Sequence, residues 1–116
     1  MLQPKNFEEL ITQANQVNLY NKLVKQLNKD FLLANIDLDF DEDILPTSLK
    51  FLLHETIFKL IQEKFAEYLN VLYIIDVPEH KIKQLDASDI VLLSEQVTFL
   101  ILLREWQKVW YKQQYK

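Results

Sequence analysis

The chain has 116 residues, 49% of them apolar and 26% charged, a balance that excludes a disordered, collagenous or low-complexity protein. Glycine and cysteine are both absent, which disfavours hairpin-rich folds and glycine-built phosphate loops and excludes disulfides, thiolate metal sites and a cysteine nucleophile. The net charge of −4 counts against nucleic acid as a partner, because phosphate neutralisation needs clustered cations.

Helix signals begin at Asn6, an N-cap followed three residues later by Glu9, as in a capping box. The opening MLQPKNFEEL has no apolar h-region, so it does not read as a signal peptide. Apolar residues then recur every seven positions at Leu10, Val17, Val24 and Phe31, with a second column at Gln13, Tyr20, Leu27 and Ala34. This spacing predicts one helix of about 30 residues packed along its length. Asn15, Asn18 and Asn21 weaken its middle, which leaves a break near residue 16 as the alternative. Asn35 is a fitting stop in a chain without glycine.

Residues 36–46 read IDLDFDEDILP, alternating Ile36, Leu38 and Phe40 with acids. A lone extended segment has no strand to pair with, so it reads as a loop packed by its apolar side chains. The acids take alternate places as in a calcium-binding EF-hand loop. Glu42 stands where that loop needs glycine, however, and Ser48 where it needs a bidentate glutamate, so a solvated acidic loop is expected.

A second long helix is predicted from about 48 to 74, with columns at Phe51, Phe58, Phe65, Leu72 and at His54, Ile61, Tyr68, Ile75. Asp76-Val77-Pro78-Glu79 starts a short linker helix. Asp86 or Ser88 then caps a third long helix, about 88–114, with its stripe at Leu92, Glu95, Phe99, Leu102, Trp106 and Val109. The apolar run from Phe99 to Leu103 is far short of the ~20 residues that span a bilayer. The expected fold is therefore all-α: an up-down-up antiparallel bundle of three long helices with a short linker helix, one domain over 1–116. It becomes a four-helix bundle if the first helix breaks near residue 16.

Matching heights in such a bundle places Gln13, Tyr68 and Glu95 in one layer, each on the apolar column of its helix. One reading is a hydrogen-bonded layer that fixes register. The other is a buried polar site for a small molecule or a reaction, with Glu95 as a general base of raised pKa. His54 is the only histidine on an apolar stripe, but HETIF lacks the second histidine of a zinc-binding HExxH helix, and no Glu-x-x-His pair supports a di-iron bundle. No metal or cofactor is expected. A serine, a histidine and an aspartate can be assembled on paper, with no nucleophile elbow to support them.

Arg104, Lys108, Lys112 and Lys116 form a basic stripe interleaved with Trp106, Trp110, Tyr111 and Tyr115. This makes Arg104, Trp106, Lys108, Trp110 and Lys112 a candidate surface for a protein partner. The same register puts Lys108 level with about Leu27 and directs the C-terminal turns toward the acidic loop, so mutual screening inside the molecule is the plainer expectation. Ten of the fourteen residues from Ile90 to Leu103 are apolar. At about 100° per residue, the run 99–103 leaves that helix no polar face. Either a broken first helix wraps it, or a second copy covers it in a symmetric dimer. The expected function is a non-catalytic, cytoplasmic interaction or assembly module, with no nucleic-acid or membrane partner. A contiguous exposed apolar patch would favour it, whereas an empty pocket beside Glu95 would favour ligand binding.

Overall fold

The computed structural model describes residues 1–115 and is all-helical, with no strand among them. Six helices follow in order: α1 (Phe7–Gln16), α2 (Tyr20–Leu33), α3 (Pro46–Glu63), α4 (Phe65–Ile75), α5 (Glu79–Lys83) and α6 (Ile90–Gln114). The Asn6 side chain caps α1 by accepting from the Glu9 amide at 2.9 Å. The Glu9 carboxylate reaches one residue further back than in a capping box, to the Lys5 amide.

The first rod is broken at 17–19, as its run of asparagines allows, and α1 and α2 pack against each other. The corner is built around Asn18, whose φ of 57° is left-handed. The Leu19 amide reaches back to the Ala14 carbonyl at 2.8 Å, and the buried Leu19 side chain follows into the core. Two more helices end the same way. Asn35 (φ 63°) closes α2 with the Ile36 amide on Phe31, and Asp76 (φ 67°) closes α4 with the Val77 amide on Leu72. Each is a Schellman ending, with a left-handed residue followed by an apolar one that packs back on its helix. Such positions favour glycine. This chain fills them with Asn and Asp, whose short polar side chains tolerate the left-handed region. Asn35→Val is therefore expected to lower stability by about 1–2 kcal/mol in urea unfolding, with Asn35→Gly close to the parent.

The second rod is also split, which the sequence does not announce. Lys64, at φ −142° and ψ 61°, interrupts the expected 48–74 helix and separates α3 from α4, with no proline or glycine to mark it. Residues 36–45 run back along α2 as an irregular segment, left-handed at Asp39 (φ 50°) and turned where the Ile44 amide bonds the Asp41 carbonyl at 3.0 Å. The Asn28 side chain clamps Phe40 by donating to its carbonyl at 2.9 Å and accepting from its amide at 3.1 Å. Further along, the Tyr20 hydroxyl donates to the Ile44 carbonyl at 2.5 Å. Burial pushes the Tyr20 phenol up to about 12. Ile36, Leu38, Phe40 and Ile44 pack on the core from this segment, while its acids stay exposed.

Helix α6 is the centre of the packing and touches α1, α2, α3 and α4. Its cap is Asp89, which accepts from the amides of Val91 and Leu92 at 3.0 and 3.2 Å. Asp86, one of the expected caps, instead makes a local turn by accepting from the Ser88 amide. Val97, Ile101, Leu102 and Leu103 are buried within the chain. The broken first rod thus supplies the cover that the apolar girdle of α6 requires.

Candidate functional site

The three residues expected to share a layer do not meet. Tyr68 is buried on α4 with its ring 5.4 Å from that of Phe65, and burial pushes its phenol above the usual tyrosine range. Gln13 is half-buried, accepting from the Trp106 indole at 3.2 Å and donating to the Leu2 carbonyl at 2.8 Å. Glu95 is exposed, so it is not the buried carboxylate of a polar layer. The physical reason is helical phase. The residue that α6 turns into the core at this level is the neighbour, Ser94, which is fully buried.

Most of the candidate partner surface on α6 is used inside the molecule. Trp106 is 1% exposed and belongs to the core. Arg104 donates from Nε to the Asp76 carbonyl at 3.0 Å and stands 3.3 Å from its carboxylate, completing the end of α4. Lys108 turns inward to Asp30. That places it one turn from the expected level at Leu27 and on α2 itself rather than on the acidic loop. Trp110 is half-buried, edge-on to the Tyr111 ring at 5.3 Å, and Lys112 is exposed. Lys116 lies outside the described residues. The acidic loop is screened from α2 instead, with Lys25 3.4 Å from Glu42.

A cleft of about 470 Å³ opens where the start of α1, the middle of α3 and the first half of α6 meet. Phe7, Phe99 and Leu100 wall it, and Lys50, His54 and Glu95 line it. Some of its polar groups are committed, while Gln96 Oε1 is buried on its wall without a hydrogen-bond partner. The Lys50 ammonium lies 3.9 Å from Glu8 and 5.3 Å from the centre of the Phe7 ring. Ser94 Oγ lies 2.9 Å from the Val91 carbonyl and 2.7 Å from His54 Nε2, a contact that ties α3 to α6. Ser94 is fully buried, whereas a serine nucleophile needs an accessible hydroxyl.

The strongest polar constellation lies elsewhere, between α2 and α6. Asp30 and Glu105 are both buried, Glu105 completely. The Lys108 ammonium sits between them, 3.0 Å from Asp30 Oδ2 and 3.2 Å from Glu105 Oε1. The Gln26 amide donates to the same Asp30 oxygen at 3.1 Å. Burial pushes the Glu105 carboxyl up to about 9, with the adjoining Asp30 adding to the rise and Lys108 opposing it. Burial would raise Asp30 too, but hydrogen bonds from Glu105, Gln26 and Lys108, with the lysine's charge, hold it below its usual value. The 95-99-102-106 stripe hides this cluster. A second stripe shifted by one residue, Ser94-Thr98-Ile101-Glu105, has the same spacing, and this face is buried as well.

No protein-family model, no curated protein and no solved structure matches the chain. Among the described residues no helix is long and apolar enough to cross a membrane. Among the same residues no group of three or more His, Asp or Glu side chains is placed to hold a metal ion.

Proposed function

We propose that the protein is a non-catalytic, cytoplasmic assembly module of one domain that pairs with a second copy of itself. In this reading the fold is the four-helix form of the up-down-up bundle, with its first rod divided into α1 and α2 at 17–19. The observation that carries it is an apolar face on α3 beside the start of α6. There Phe51, Phe58 and Val91 border a shallow apolar groove of about 240 Å³, with Phe51 65% and Val91 52% exposed. Exposed aromatic and aliphatic side chains gathered on one face mark interaction surfaces more often than isolated ones do. A two-fold axis through this face would set each Phe51 against the partner's groove and close the assembly at two chains.

Sedimentation at micromolar concentration tests the proposal. The parent chain is expected at twice 13.9 kDa, and Phe51→Glu with Val91→Glu at 13.9 kDa with its helical content retained. A parent chain that sediments only at 13.9 kDa overturns it. A second reading, small-molecule binding, draws support from the cleft beside Glu95, without the Gln13–Tyr68–Glu95 layer that first suggested it.

A further inference from the structure

The buried cluster between α2 and α6 has an imbalance that its composition alone creates. Two carboxyl groups, Glu105 fully buried and Asp30 nearly so, are packed against one ammonium whose side chain is 21% exposed. If all three were charged, a net negative charge would be left in a medium that solvates it poorly. Both Glu105 oxygens are buried without an aligned hydrogen-bond donor, although Lys108 Nζ lies 3.2 Å from one of them. Asp30, by contrast, already receives Gln26 and Lys108 on one oxygen. A proton on Glu105 resolves both defects. It removes the surplus charge and turns an unserved acceptor into a donor toward the Asp30 carboxylate, the arrangement in which two adjoining acids share one proton.

We infer that Asp30 and Glu105 form a protonation-dependent clasp, in which one proton held by Glu105 and donated to Asp30 binds α2 to α6, with Lys108 neutralising the pair. The charged groups that act on Glu105 are Asp30 from α2 and Lys108 from its own helix. Losing the proton would set two carboxylates against each other around a single ammonium and loosen α2, whose buried face carries Val24, Leu27 and Phe31.

The direction of the pH effect follows from linkage. The folded pKa of Glu105 is raised, so its contribution is complete below the ordinary carboxylate range and is lost as pH climbs toward about 9. Asp30 is lowered, so its contribution is present above the ordinary range and is lost only in acid. Between about pH 5 and about pH 9 the part of the slope that belongs to Glu105 is the part that Glu105→Gln removes.

Thermal unfolding across that window tests the clasp. The parent Tm is expected to fall by several degrees from the acidic to the alkaline end. Glu105→Gln, which keeps a donor for Asp30 and has no proton to lose, is expected to hold a nearly flat Tm. Amide protection at Leu27 and Phe31, corrected for intrinsic exchange, should fall relative to Ile57 on α3 as pH rises. Infrared spectroscopy of the parent chain needs no variant: a protonated carboxyl band from a buried acid is expected at neutral pH. A parent Tm as flat as that of Glu105→Gln, or the absence of that band, overturns the inference.

Discussion

Trp106→Ala is expected to cost about 3–5 kcal/mol, the range found when a large aromatic is removed from a packed core. The indole is 1% exposed in the helix that all the long elements touch, and its N–H is tied to Gln13 on α1. Truncation removes the contacts that seat α1 on α6 and leaves a cavity that the surrounding helices cannot close without breaking their own packing. The Gln13 carbonyl is half-buried and can turn to water, so the lost hydrogen bond is the smaller part of the effect. Trp106→Phe should separate the two, restoring much of the volume without the donor. Urea unfolding midpoints measure both. A midpoint unchanged in Trp106→Ala would return this residue to the surface role that its basic and aromatic neighbours suggest in the sequence.

Lys108→Met is expected to cost about 3 kcal/mol, because removing one partner of a buried ion cluster strands the other. The methionine fills the space of the lysine stem, so the loss is electrostatic rather than steric. What remains is the Asp30 carboxylate with its charge unmatched, served only by the neutral donors Gln26 and the protonated Glu105. Asp30→Asn added to Lys108→Met should recover part of the loss, since the carboxylate whose charge Lys108 balances disappears with it. The double-mutant cycle reads this directly as a coupling energy, and strictly additive effects would show that the three side chains act independently.

Much of the helix plan was legible from local signals. Asparagine followed by an apolar residue marks two helix ends, at Asn18-Leu19 and Asn35-Ile36, whereas Asp76, expected to start the linker helix, instead closes α4 in the left-handed conformation. The loop at 36–46, packed by Ile36, Leu38, Phe40 and Ile44, was legible from its alternation of apolar and acidic residues. The split at Lys64 was not. It is a single residue with no proline or glycine, set by how α3 and α4 pack rather than by propensity. The polar cluster was lost to phase. Two heptad stripes one residue apart fit α6 equally well, because the apolar run 99–103 surrounds the helix. Choosing the stripe through Glu95 moved the buried acid ten residues from Glu105, where it stands. A buried charge is recognised by the partners around it, and here Asp30 is supplied by another helix 75 positions earlier in the chain.

The central place of α6 has a consequence for how the chain matures. A ribosome makes this helix after the four helices that pack on it, so no earlier point in synthesis offers α1 to α4 the surface they need. Leu10, Phe31, Leu53 and Val71 are apolar groups that must wait, either loosely gathered or screened by a chaperone. Docking of α6 then closes the core as one late event. A ribosome stalled before residue 90 would hold a chain whose greasy faces have nowhere to go, a natural target for the cell's quality-control machinery.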